Sequence, residues 1–158
     1  MSGRASATAA FEEKVVERSS LGERLRVRRA RGERIVFTNG CFDLLHPGHV
    51  SVLEFAKSKG EVLVVAINTD RSVKGLKGPG RPVMNDRERA AMLGALECVD
   101  YVTMFGDATP VRLLKKLKPD VLVKGASYGH AGVVGHDVVE GYGGRVELAP
   151  MVTGASTS

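Results

Sequence analysis

The sequence predicts an α/β fold built on a doubly wound parallel five-stranded sheet, and three observations predict it. Strand-like and helix-like segments alternate four times along the chain, a pattern that one sheet accommodates through right-handed crossovers. One strand-like run, Val62 to Asn68, is apolar almost throughout, as expected of a strand covered by helices on both faces. Finally, 158 residues with 43% hydrophobic content, 5% aromatic content, no Trp and 19 glycines suit one domain with many tight turns and a core of Val, Leu and Ala.

In order along the chain, residues 1–19 read as an N-terminal extension without fixed structure, and 20–158 as the domain. Ser20 is positioned to cap a first helix, with Glu23 completing a capping box and Gly32 ending the helix in the left-handed conformation. Strands are expected at Arg34 to Thr38, Val62 to Asn68, Tyr101 to Met104, Val121 to Val123 and Val146 to Leu148. Between them "HVSVLEFAKSKG", "NDRERAAMLGALECV", "TPVRLLKKLK" and "GHDVVEGYGG" read as helices. Asn85 or Asp86 caps the second, Thr109 with Pro110 at the first helical position starts the third, and Gly60 and Gly143 close others. Lys74 to Pro82, "KGLKGPGRP", reads as an inserted loop, either a plain surface loop or a cationic lid for an anion.

Charge excludes little. Lys and Arg exceed Asp and Glu by 23 to 18, and six arginines crowd residues 24–34, a cluster read as a solvated helix face rather than a nucleic-acid surface. Cys41 and Cys98 make neither a disulfide framework nor a CxxC site, which fits a reducing compartment. No run approaches the ~20 apolar residues of a membrane span, so a cytoplasmic protein without membrane contact is expected.

The most informative stretch is "TNGCFDLLHPGH", Thr38 to His49, placed where the first strand gives way to a helix. A histidine pair there could ligate metal, serve a nucleophile, hold an anion or simply brace a turn. Zinc lacks complementary ligands and an HExxH pattern, so no metal-ligand set is assigned. A triad through Cys41 lacks anything like GxSxG. Pro47 suits the first helical position and Gly48 lets a ligand approach the backbone. With His46 at the cap and His49 three residues on, both imidazoles would lie beside the open N–H groups of the first turn, where the helix dipole attracts anions. His130 and His136, in a polar loop and a helix start, are expected to be solvated.

The same stretch resembles the GxFDxxHxGH signature of the nucleotidyltransferase superfamily, which includes cytidylyltransferases, pantetheine-phosphate adenylyltransferases and class I aminoacyl-tRNA synthetase catalytic domains. Within it, "AINTDRSVKGLKGPGRPV", "RERAAMLGALECVDYV" and "PDVLVKGASY" are similar to the heptose 1-phosphate adenylyltransferases. The resemblance covers about residues 20–158. It implies a Rossmann-like nucleotidyltransferase fold and, as reaction, attack of a sugar 1-phosphate on the α-phosphorus of ATP, with Mg²⁺ accompanying the nucleotide. A cytidylyltransferase acting on glycerol 3-phosphate or a related alcohol phosphate, and a nucleotide-binding module without turnover, stay open beside it.

By the resemblance His46 and His49 bind the phosphates and stabilise the transition state, with Lys77 and Arg89 as further catalytic cations. Thr38, Asn39, Gly40, Phe42 and Gly48 would line the nucleotide pocket. Asp43 would orient the loop or help hold Mg²⁺, and Asn68 and Asp70 would reach sugar hydroxyls or form an Asx turn. Arg81 would contact phosphate, and Lys124 and Gly125 would face the ligand from the fourth strand. Family members carry a "GxSTT" segment into a final helix. Ser156 and Thr157 in "GASTS" match its start, and because the sequence breaks off there the expectation is either a longer chain or weakened nucleotide affinity. The resemblance also implies a heptose kinase as a separate protein, and the apolar helices permit a homodimer.

Overall fold

The structure, a computed structural model, describes residues 11–151. Five parallel strands, β1 (Ile35–Gly40), β2 (Val62–Asn68), β3 (Tyr101–Phe105), β4 (Val121–Gly125) and β5 (Arg145–Ala149), form one sheet in the order β3-β2-β1-β4-β5. Helices α1 (Arg18–Ala30), α2 (Pro47–Lys57), α3 (Asp70–Lys77), α4 (Asp86–Gly94), α5 (Val111–Leu117) and α6 (His136–Gly141) connect and cover it. The chain winds outward through β1, β2 and β3, then returns to place β4 on the other side of β1. The doubly wound plan expected from the sequence is therefore the one observed.

The alternation of side chains along a strand explains the apolar run in β2. Val62, Val64 and Ala66 join Ile35, Phe37, Leu21, Leu25 and Leu114 in a core on one face. Leu63, Val65 and Ile67 join Val36, Leu53, Ala56 and Leu93 on the other. All seven β2 residues are buried, six of them apolar, and the one polar residue, Asn68, comes at the strand's carboxyl end.

Several sequence expectations need correction. Residues 11–19 are not part of a structureless extension: Val16 is buried, its N–H donates to the Val102 carbonyl at 2.8 Å, and Lys14 Nζ donates to the Leu96 carbonyl at 3.0 Å. Residues 1–10 lie outside the described residues. α1 starts at Arg18 with Glu17 at its N-cap and no side-chain cap, so Ser20 is inside the helix rather than capping it; Gly32 is left-handed as expected, at φ 82°. Pro110 occupies the cap position of α5, one residue earlier than its expected place. The expected loop Lys74 to Pro82 is half helix, because Thr69 caps α3 through Ser72 N–H and carries the helix through Lys77.

Of the six arginines at 24–34, Arg24, Arg26, Arg31 and Arg34 are exposed, as expected of a solvated face, while Arg28 and Arg29 are partly buried against the fold. Arg28 holds Glu33, Arg26 holds Glu23, and Arg29 donates to the Leu117 and Lys118 carbonyls at the end of α5, supplying the cation that a helix C-terminus favours. No helix among the described residues is long and apolar enough to cross a membrane.

Candidate active site

The winding reverses between β1 and β4, and in open α/β sheets ligands bind beyond the carboxyl ends of the strands at that reversal. Gly40 ends β1 there, and Lys124 and Gly125 end β4. The chain leaves β1 through Cys41 and turns sharply at Phe42, whose φ of 49° is left-handed and uncommon for an aromatic residue. That turn lays the Phe42 ring edge-on against His49, with centroids 5.5 Å apart. A Cβ on Gly40 would sit 3.0 Å from the same ring, so glycine at this position lets the ring close the site wall.

The two histidines meet in a reciprocal cap at the start of α2. His46 Nδ1 accepts the Gly48 N–H at 3.1 Å, and His49 Nδ1 accepts the His46 N–H at 3.3 Å. The rings stack with centroids 3.8 Å apart and planes inclined by 26°. A nitrogen that accepts a hydrogen bond carries no proton, so the neutral ring holds its proton on Nε2. In each ring Nε2–H is thereby assigned as the donor. His46 Nε2 is buried and finds no hydrogen-bond partner among the described residues.

This arrangement corrects the expected one. The first-turn N–H groups are already engaged: Gly48 N–H by His46 Nδ1, and those of His49 and Val50 by the His46 carbonyl at 2.9 and 3.2 Å. The polar hydrogens left over at this helix start are those of the imidazoles rather than open backbone amides. Each imidazole passes the polarisation of a backbone N–H through its ring to Nε2, as chained hydrogen bonds do. His49 is held below the ordinary histidine range by burial first and by His46 next, with Lys77 adding and the Leu44 carbonyl opposing.

Across the reversal, Lys124 Nζ donates to the Asn39 carbonyl at 2.6 Å and lies 4.8 Å from the Tyr128 ring centroid. Burial pushes its ammonium down to about 8. Tyr128 was not singled out by sequence; its signal was an aromatic four residues past the strand-end lysine, in a 3-10 turn spanning Ala126–Tyr128.

On the β2 side the expected ligand contacts are absorbed by the protein. Arg89 is fully buried and donates to the carbonyls of Met84 (3.1 Å), Cys41 (2.7 Å) and Asn68 (2.8 Å) and to Asp70 Oδ1 (2.8 Å). Its guanidinium is closed to solvent and engaged throughout by protein groups, which departs from the open catalytic cation expected. Asn68 forms no Asx turn; it donates to Ser72 Oγ at 2.9 Å and is 4% exposed, while Asp70 serves Arg89. Asp43 accepts from Val83 and Met84 N–H at 2.8 to 2.9 Å and from Arg81 at 3.2 Å. Burial alone would raise its carboxyl, but these backbone bonds and Arg81 outweigh it and hold the group below the usual carboxylate range. Asp43 thus orients the loop.

The remaining candidates divide by position. Thr38 is buried in β1, and Asn39 contributes its carbonyl to Lys124. Lys77 is exposed in the last turn of α3, within electrostatic reach of His49, and half-exposed Arg81 follows it on the loop. Ser156 and Thr157 lie outside the described residues. For Mg²⁺ the donor set does not fit a protein cage: both Asp43 oxygens are engaged, Asp70 is tied to Arg89, and no other expected site residue carries a carboxylate.

A family model described as Cytidylyltransferase-like matches residues 37–146. The chain is 60% identical over 130 residues to the bifunctional protein HldE of Geobacter metallireducens, covering 82% of this chain and 26% of that protein. It is 51% identical over 148 residues to the bifunctional protein HldE of Syntrophotalea carbinolica, covering 94% and 30%. The same-named protein of Gluconobacter oxydans is 57% identical over 127 residues, covering 80% and 26%. The chain therefore spans less than a third of the length of these curated relatives.

Among solved structures, the lipopolysaccharide core biosynthesis protein of Thermoplasma volcanium superposes with a TM-score of 0.62 at 23% identity, over 77% of this chain and 98% of that one. Pantoate-β-alanine ligase of Francisella tularensis gives 0.63 at 16% identity, over 86% and 66%. These two show the shared fold. With the family match spanning the strand-one exit, the capped histidines and the β4 lysine, the chain belongs to the cytidylyltransferase-like family of nucleotidyltransferases.

Proposed function

We propose that this chain transfers the adenylyl group of ATP to D-glycero-β-D-manno-heptose 1-phosphate, giving ADP-heptose and pyrophosphate for lipopolysaccharide core synthesis in the cytoplasm. The observation that carries the reading is the capped imidazole pair, with two Nε2–H donors assigned by their backbone bonds at the sheet reversal. The heptose acceptor is supported by the three stretches similar to heptose 1-phosphate adenylyltransferases and by identity to proteins named HldE.

The chemistry asks for donors rather than a base. A sugar 1-phosphate oxygen is already anionic, so it attacks the α-phosphorus directly; a new P–O bond forms, the α–β bridging P–O bond breaks, and pyrophosphate leaves with its electron pair. Negative charge accumulates on the α-phosphoryl oxygens along the way, and preorganised donors stabilise it without reorganising. His46 and His49 supply Nε2–H groups to those oxygens, and Lys124 adds a cation from β4. Lys77 and Arg81 approach the departing phosphates from α3 and the following loop. Mg²⁺ supplies charge neutralisation as part of the nucleotide complex.

The test is pyrophosphate release by the 158-residue chain with Mg²⁺, either ATP or CTP, and either heptose 1-phosphate or glycerol 3-phosphate. Turnover with ATP and heptose 1-phosphate is expected. Turnover confined to CTP, or tight ATP binding with no turnover for any acceptor, contradicts the proposal.

A further inference from the structure

We propose that His130, His136 and Glu140 form a binding site for one divalent transition-metal ion, zinc in the first instance, separate from the nucleotide crevice. One ligand atom from each residue can be chosen so that all lie within 4.8 Å of one another. Glu140 bridges the pair, with Oε2 at 2.7 Å from His130 Nε2 and Oε1 at 3.1 Å from His136 Nδ1. The rings tilt by 54° with centroids 4.7 Å apart. An ion with tetrahedral bonds of ~2.0 to 2.1 Å holds its ligand atoms roughly 3.3 Å apart, so small side-chain rotations suffice.

The local fold builds this cluster. His136 and Glu140 lie one turn apart on α6, on the same helix face. A 3-10 turn, His130–Gly132, brings the second imidazole back over that face. The approach depends on Gly135, left-handed at φ 96°, where a Cβ would sit 2.3 Å from Leu114 Cδ1. The three side chains are 53%, 31% and 40% exposed, which leaves an entry path and room for water to complete the coordination.

Two imidazoles and one carboxylate are the three-ligand set of an open zinc site, and imidazole suits Zn²⁺, Ni²⁺ and Cu²⁺ while Mg²⁺ prefers all-oxygen shells. The competing account of the same distances is a hydrogen-bonded triad with protons at its centre. A bound ion would tie α6 to the β4 exit segment that carries Tyr128 over Lys124, fixing the crossover beside the crevice.

The test is calorimetric titration of the untagged, metal-free chain with ZnCl₂, with MgCl₂ as control. One zinc per chain is expected, with no matching Mg²⁺ binding and a zinc-dependent rise in Tm. His130→Ala, His136→Ala and Glu140→Gln should each weaken zinc binding by on the order of 10-fold to 100-fold, and circular dichroism reports whether each variant stays folded. A His46→Ala/His49→Ala variant should keep the zinc site. Absence of stoichiometric binding, binding unchanged in both His130→Ala and His136→Ala, or loss in the His46→Ala/His49→Ala variant overturns the proposal.

Discussion

The two sides of the crevice use polar residues in opposite ways. On the β1 and β4 side, His46 and His49 are held through Nδ1, His46 Nε2 has no hydrogen-bond partner among the described residues, and Lys124 is anchored by one bond to Asn39. On the β2 side, Arg89 makes four donor contacts with the protein and Asp43 accepts from three residues. Both sides carry residue types that read as phosphate or sugar contacts. The difference teaches that a polar residue's role follows from which of its atoms the fold has already engaged.

The sharpest way to break this comparison is at Arg89. Replacing it by Met leaves three carbonyls, that of Asn68 buried and those of Cys41 and Met84 partly so, and Asp70 without their donor, and the expected loss is about 3 to 5 kcal/mol of stability by urea unfolding. Arg89→Lys should recover only part of that, because a point charge cannot serve carbonyls in several directions. A variant as stable as the parent with reduced turnover would place Arg89 among the ligand contacts after all.

Next in size is the histidine pair. His46→Ala and His49→Ala should lower kcat by ~10²-fold or more with a smaller change in ATP KM, since the donors act on charge that develops in the transition state. The stability cost should be only about 1 kcal/mol, the loss of a helix cap.

Asp43→Asn tests the scaffold more gently. An amide keeps an acceptor but places a donor against backbone N–H groups, so a loss of about 1 to 3 kcal/mol is expected by thermal unfolding. Unchanged stability would mean that the 81–84 loop is held by something else.

The smallest effect is a pH dependence. Burial brings Lys124 down to about 8, so the free chain loses this cation as pH rises through that value, and kcat/KM should fall on the alkaline side. Stability moves the other way: between about 8 and the ordinary lysine value of 10.5 the unfolded chain binds more protons, so folding becomes more favourable as pH rises. Lys124→Met should flatten both trends. On the acid side, protonating His49 Nδ1 breaks its bond to the His46 N–H, so activity should also fall as pH drops below the ordinary histidine range.

The β1–α2 junction was legible in sequence because its determinants are local: a strand end, Pro47 at the first helical position and two histidines three residues apart. The β2 side was not, because the partners of Arg89 lie 48 residues away at Cys41 and 21 away at Asn68, distances that only the sheet order brings together. α3 was missed because Gly75 weakens its interior and its eight residues give a short period to read. The His130 cluster showed half its signal, the four-residue spacing of His136 and Glu140. The other half depended on the left-handed turn at Gly135.

The central claim, that the histidines cap with Nδ1 and act with Nε2, is tested most directly by kcat and KM of His46→Asn for pyrophosphate release from ATP and heptose 1-phosphate. Asparagine is a good N-cap and can take over the Gly48 N–H, but it does not reach the position of Nε2. The predicted result is an unchanged Tm, an ATP KM near that of the parent and a kcat lower by ~10²-fold. A kcat equal to the parent's would contradict the account and leave His46 as a helix cap alone.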